Sequence, residues 1–334
     1  MKLLRKILFP IVPIYYTVTS LRNKLYDLGI KRSKSYDFPI LCVGNLSVGG
    51  TGKTPMIEYL IHLLKDDYKV ATLSRGYGRN TKGFLLATKS VTAESLGDEP
   101  FQFYNKFKNN ILVAVDENRN HGIQSLRQLD NSPEVILLDD AFQHRKVKAG
   151  FNILLTTYNN IYTRDFVLPT GDLREPRIGA KRANIIIVTK CPEDLSKNDR
   201  NAIIKDINPE NNQHVFFSSI KYSSSVISND DTKLIDDLSN FTLVTGIANS
   251  KPLVDFLYKR NLKFDHLNFK DHHGFSSREI SDLSNKEFIV TTEKDFMRLK
   301  QYESLRDKLY YIPITVSITE SQKVNSLIKD FVKN

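Results

Sequence analysis

The residues best equipped for chemistry in this chain lie in one run, positions 38–55, reading FPILCVGNLSVGGTGKTP. Gly49, Gly50 and Gly52 let the backbone bend so that successive N–H groups face inward. There, with the positive end of a following helix, they can hold phosphate oxygens. Ser47, Val48 and Thr51 complete the loop, Lys53 would reach the outer phosphates of a nucleotide, and the Thr54 hydroxyl would bind Mg²⁺. The general pattern G-x-x-x-x-G-K-[ST] asks for glycine where this chain has Ser47, and the variant K-G-G-x-G-K asks for lysine where Val48 stands. A glycine-rich turn is the plain alternative; a strand before the loop and a helix after it decide for phosphate binding.

Those flanking elements are legible. Residues 39–43 form an apolar run suited to a buried strand, and 56–64 carry helical spacing. A second strand, 68–73, runs into SRGYGR, placing Arg75, Tyr77 and Arg79 where open α/β sheets bind ligands, though a basic hairpin tip would look the same. Asp98 and Glu99 precede a helix over 101–107, where acids also serve the helix dipole. Strand 111–115 leads to Asp116 and Arg119. Strand 135–138 delivers Asp139 and Asp140, followed by Gln143 and His144; an apolar strand ending in Asp is how such enzymes hold Mg²⁺ opposite the Lys-Thr pair. After strand 151–156, an irregular loop over 168–176 carries Asp172, Arg174 and Glu175, with Arg177 just beyond. Strand 185–189 closes this sheet.

From 201 to 237 the chain turns polar, and beyond it a β-α rhythm restarts. This places a junction near 221, with 215–222 and 232–235 as connecting strands. The expected units are an N-terminal segment 1–36, a nucleotide domain 37–220 and a smaller α/β domain 221–334. Lys and Arg exceed Asp and Glu by 48 to 38, a net +10 that favours anionic partners without choosing among them. Cys42 and Cys191 fit neither a disulfide framework nor a zinc site. The apolar stretch 7–18, broken by Pro10 and Pro13 and flanked by cations, is too short to span a bilayer. It reads equally as a segment lying in the membrane interface or as a helix packed on the protein's own core. The cluster Asp271, His272, His273 could bind metal, move a proton or simply be a polar loop.

Taken together, GNLSVGGTGKTP, SRGYGR, GDEP, DDAFQHR, LPTGDLREP, VTGIANS, FKDHHGF and VTTEKD resemble, in order, the tetraacyldisaccharide 4′-kinases of lipid A assembly. The resemblance implies an α/β fold: a P-loop NTPase-like α/β/α domain with a mostly parallel sheet, and a smaller α/β/α domain joined by a short β linker. It implies ATP and Mg²⁺ as cofactors and tetraacyldisaccharide 1-phosphate as acceptor. The place of work would be the cytoplasmic face of the inner membrane of a Gram-negative bacterium, against an anionic surface. Family loops carry Ser or Thr at the position of Ser47. Asp98 is then the expected base with His272, rather than His273, as its partner. Glu175 joins Thr54, Asp139 and Asp140 around the metal. Arg75, Tyr77, Arg79, Arg119, Gln143 and Arg174 are the expected substrate contacts. Neither nucleic acid nor an obligate protein partner is expected: the net charge lacks the clusters of a nucleic-acid binder, and a guanine-reading N-K-x-D is absent, Thr189 preceding Lys190.

Overall fold

Ile40–Asn45 (β1) is buried at every position, which the run ILCVGN sustains only where helices cover both faces of its sheet. The computed structural model describes residues 7–271 and 273–334. Val12–Asp27 (α1) comes before β1, and Lys53–Leu64 (α2) follows the glycine-rich loop. Next come Val70–Ser74 (β2), Leu85–Leu86 (β3), Ala93–Leu96 (α3), Asp98–Phe107 (α4), Leu112–Val115 (β4) and Arg119–Arg127 (α5). Val135–Asp139 (β5), Phe151–Thr157 (β6), Ile185–Thr189 (β7), Lys197–Ile207 (α6) and His214–Tyr222 (β8) complete the first pass.

The chain then builds Ser225–Ile227 (β9), Thr232–Leu234 (β10), Phe241–Thr245 (β11), Lys251–Lys259 (α7) and Phe264–Asn268 (β12). Ser277–Ser284 (α8), Ile289–Thr292 (β13), Glu293–Leu299 (α9) and Leu309–Ile312 (β14) follow. Ile314–Ile318 (β15) and Ser321–Lys333 (α10) end it. Two sheets result, a nine-stranded one ordered β15-β8-β7-β6-β1-β5-β2-β4-β3 and a six-stranded one ordered β10-β9-β14-β13-β11-β12. From β8 to β4 every pairing of the first sheet is parallel. The carboxyl ends of β1, β2, β4 and β5 therefore share one edge, the edge where ligands bind in such sheets.

The expected boundary at 221 needs correction at its far end. β15 pairs antiparallel with β8 in the first sheet, Ile314 opposite Tyr222. Val324, Ile328 and Val332 of α10 are buried in the first sheet's core, and Tyr59 of α2 donates to Asn325 at 2.6 Å. Residues 314–334 thus return to the first unit. The apolar run 310–316 divides at Pro313, whose missing N–H suits a residue between two ladders; its carbonyl accepts from Ser223 N at 2.9 Å. The linker is accordingly a ribbon of β8 and β15, not 215–222 with 232–235: β10 pairs with β9 in the second sheet.

α1 is packed on the protein's own first unit along one side. Polar groups hold it to the fold: the Tyr15 hydroxyl donates to Arg174 O at 2.9 Å and Arg22 Nη2 to Gln143 O at 2.8 Å. Its other side leaves Ile14, Val18 and Leu21 exposed. Among the described residues no helix is long and apolar enough to cross a membrane.

A buried ion cluster joins the two units. Lys106 of α4 donates to Glu58 of α2 at 2.7 Å and to Glu293 of α9 at 3.0 Å, while Gln102 Nε2 donates to the other Glu58 oxygen at 2.9 Å. Two acids share one cation, and burial followed by the Glu58 charge pushes the Glu293 carboxyl from 4.5 up to about 7. Between these values the native state binds more protons than the unfolded chain, so stability falls as pH rises through that window. The melting temperature of the wild type should therefore decline relative to Glu293→Gln from pH 4.5 to about 7, then run parallel to it; a constant difference across that range would show that Glu293 does not titrate there.

Candidate active site

Two glycines in left-handed backbone, Gly49 at φ 102° and Gly52 at φ 88°, shape the loop between β1 and α2; a side chain at either would be strained. The end of β7 pins the loop from the far side. Thr189 Oγ1 donates to Thr51 O at 2.8 Å, and Lys190 Nζ donates to Gly50 O at 2.6 Å. Ser47 sits in an antiparallel bridge with Leu173. Val48 N donates to Asp172 O at 2.8 Å and Arg174 N to Leu46 O at 2.7 Å. Extended pairing at this point explains why glycine is not needed there: the loop 168–176 serves as a short strand partner to the start of the phosphate loop.

Opposite stand the acids of β5. Asp139 is 1% exposed, and its Oδ1 is buried without a partner. Burial, then the neighbouring Glu99, pushes its carboxyl up to about 8 against the opposing pull of Lys53 and Arg119. Asp140 lies 3.7 Å from Lys53 Nζ and accepts from Arg174 Nη1 at 3.1 Å through both oxygens. These oxygens suit a hard cation; Mg²⁺ takes one or two carboxylates and leaves its remaining positions to water and phosphate. The unpartnered Oδ1 of Asp139 and the buried, unpartnered Thr51 hydroxyl are the atoms that a bound group would satisfy.

Asp98 opens α4 at the same edge and accepts from Arg298 of α9, Nε at 3.0 Å and Nη2 in a shorter contact. The second unit thereby holds a carboxylate of the first. Asp295, fully buried, fixes α9 in turn by accepting from Gly246 N at 2.8 Å and the Thr292 hydroxyl at 2.7 Å.

The whole sequence fits one group of known proteins. A family model described as Tetraacyldisaccharide-1-P 4'-kinase matches residues 4–333. A tetraacyldisaccharide 4'-kinase of Flavobacterium johnsoniae is 49% identical, covering 100% of this chain and 98% of the relative. One of Bacteroides thetaiotaomicron is 45% identical over 99% and 94%. The chain belongs to the tetraacyldisaccharide 4′-kinase family. A solved structure, LpxK from Aquifex aeolicus in an "apo" form in complex with ATP, superposes with a TM-score of 0.79 at 30% identity, covering 98% of this chain and 99% of that one. The fold is that of a P-loop kinase.

Within this tetraacyldisaccharide 4′-kinase family member, four expected site residues are engaged elsewhere. Glu175, expected at the metal, is 1% exposed and accepts from Asn23 at 2.6 Å, Gln143 at 2.9 Å and Arg182 at 2.7 Å; it braces α1 against the first sheet. Gln143 is held in the same brace, donating also to Asn45 O at 2.8 Å. Arg79 folds into its own loop, pairing with Glu117 at 2.9 Å with its side chain 2% exposed. Arg119 is buried behind Asp139, donating to Asp116 O at 2.7 Å, so it acts on the acids through its charge rather than on a ligand. Arg75 and Tyr77 stay exposed. His273 stacks on Phe269 and pairs with Glu279 at 3.0 Å; His272 lies outside the described residues.

Two contributors carry no functional signal in the sequence. Glu99 reads there only as a helix-start acid, although its neighbour in GDEP, Asp98, is a candidate. Lys190 figures in the sequence only as the lysine that Thr189, in place of Asn, precedes. The Ser47 bridge carries its own test. Restoring the general loop pattern with Ser47→Gly should destabilise the protein by about 0.5–1 kcal/mol, as glycine does in extended pairing, measured by urea unfolding; equal or greater stability would remove the bridge from the account.

Proposed function

We propose that this protein transfers the γ-phosphoryl group of ATP to the 4′-hydroxyl of tetraacyldisaccharide 1-phosphate, giving lipid IVA in lipid A biosynthesis. Its place is the cytoplasmic face of the inner membrane, held peripherally against anionic lipid. The observation that carries this reading is the convergence, at one sheet edge of a tetraacyldisaccharide 4′-kinase family chain, of Lys53, Asp140 and Arg174 within 3.7 Å contacts, with Asp98 at the start of α4. Phosphoryl transfer asks for positioning and charge neutralisation more than covalent chemistry. The loop 47–54 would wrap the phosphates with backbone N–H groups, and Lys53 and Arg174 would meet their outer charge. Thr54, Asp139 and Asp140 would hold Mg²⁺, which when bound neutralises phosphate charge. Glu99 adds to the negative field that makes Asp139 receptive to a cation.

Asp98 is the proposed base, accepting the proton of the attacking hydroxyl. Arg298 fixes its orientation from the second unit, so the two units must meet for the base to be aimed. His272 as a further partner of Asp98 rests on the family resemblance alone. The test is Asp98→Asn, close to isosteric and unable to take a proton. Turnover should fall about 10²–10⁴-fold, the usual weight of a general base, while affinity for ATP stays at the wild-type value. Turnover near wild type would send the proton elsewhere.

A further inference from the structure

Where α1 ends, the chain turns back beside an open surface cavity of about 550 Å³ that shares no residue with the phosphate loop or the acids. Lys31, Arg32, Lys34 and Lys146 line it, together with Tyr26 and Asn120. Its lining holds cations and no carboxylate, and none of these four cations makes an ion pair among the described residues. Like charges gathered this closely repel, and an anion is what relieves them. Asp27, at the end of α1, is paired with Arg145 at 2.7 Å.

The walls are built from backbone and neutral side chains, with Lys31 Nζ 5.9 Å from the Tyr26 ring centroid and Lys34 Nζ 5.0 Å from that of Tyr36. Lys34 N donates to Lys146 O and Lys148 N to Lys34 O, both at 2.9 Å. Ser33 Oγ donates to Arg145 O at 2.6 Å. Asn120 Nδ2 donates to Lys146 O at 3.2 Å, and its oxygen accepts from the Tyr36 hydroxyl at 2.8 Å. Ring faces hold two of the ammonium groups in place without neutralising their charge. The local field is positive beyond the cavity as well: burial and then Arg119, Lys146, Arg22 and Arg75 push the neighbouring His144 down to about 4.

A separate observation says what kind of anion. Ile14, Val18, Leu21 and Leu28 are exposed at 66%, 61%, 56% and 64%, and their spacing places them on one helical face. Ile30, 67% exposed, immediately precedes Lys31 of the cavity lining in the chain. Exposed apolar side chains on the helix that ends at a basic cavity match a molecule with hydrocarbon at one end and a phosphate at the other.

We propose that the cavity binds the phosphate of an anionic phospholipid whose chains lie along the exposed face of α1, anchoring the enzyme beside its membrane-borne acceptor. This rests on the membrane reading given above and adds a defined site to it. The acceptor's own phosphate is the competing occupant, and the experiment separates the two.

The probe is sedimentation with vesicles of phosphatidylcholine alone or mixed with phosphatidylglycerol, using the full chain and Lys31→Gln/Lys34→Gln/Lys146→Gln. A control, Lys205→Gln/Lys259→Gln/Lys263→Gln, removes equal charge from exposed positions elsewhere. Wild type and control should prefer the phosphatidylglycerol vesicles. The cavity variant should bind them roughly a hundredfold more weakly, as expected for three cations at a membrane surface, with an unchanged melting temperature. Phosphorylation of acceptor in neutral detergent should keep its kcat and KM in the cavity variant. Equal binding of variant and wild type to phosphatidylglycerol vesicles overturns the proposal, as does equal weakening in the control. A raised KM for acceptor with vesicle binding intact overturns it in favour of the acceptor's phosphate. Wild type that ignores both vesicle types overturns the membrane reading itself, a result distinct from failure of the cavity.

Discussion

Asp139 ends β5 almost without solvent, one oxygen unpartnered and its carboxyl held up to about 8 by burial and Glu99. An ion in such a place is costly unless opposite charge faces it, and here Lys53 and Arg119 supply that charge. Much of the first unit can be understood as the means of keeping this imbalance in place. The parallel register of β1 and β5, Val43 opposite Asp139, brings the phosphate loop beside the acids. Arg119 is buried at the start of α5, and the bridge from Ser47 to Leu173 carries Arg174 to Asp140. What remains unsatisfied is shaped for a ligand that brings cation and phosphate together.

The second unit contributes through contacts rather than through a pocket of its own. Arg298 reaches Asp98, and Glu293 reaches Lys106, which also holds the phosphate-loop helix through Glu58. Both contacts come from α9, whose start is fixed by Asp295. Among the described residues the chain crosses between the units at two adjacent places, after Tyr222 and at Pro313. A ribbon of this kind permits relative motion, and charged contacts that form or part with it can couple that motion to the site.

Local features of the sequence were legible because local physics fixes them. Apolar runs such as 135–138 can be buried strands wherever they pair, and the loop at 47–54 carries its glycines and lysine within a few residues. Pairings between distant segments were not legible. That 314–318 lies beside 214–222 follows from the return of the chain after an entire inserted sheet, and Pro313 marks the crossing only once both sheets are known. The same reason explains the misplaced side chains. Arg79, Arg119, Gln143 and Glu175 stand in the right motifs, but their partners, Glu117, Asp116, Asn45, Asn23 and Arg182, are set by packing that residue type does not reveal. Ser47 is the converse case, a departure from the general loop pattern whose reason appears in its bridge to Leu173.

The account rests on one claim, that the charge assembled around Lys53, Asp139 and Asp140 serves transfer of phosphate to a sugar hydroxyl of a lipid. Phosphorus NMR of the lipid product recovered after incubating purified protein with ATP, Mg²⁺ and tetraacyldisaccharide 1-phosphate tests it most directly. The account predicts a second phosphomonoester resonance, coupled to the proton at position 4′, appearing in step with ADP. ATP consumed to inorganic phosphate with the lipid unchanged, or phosphate found at another hydroxyl, would contradict it.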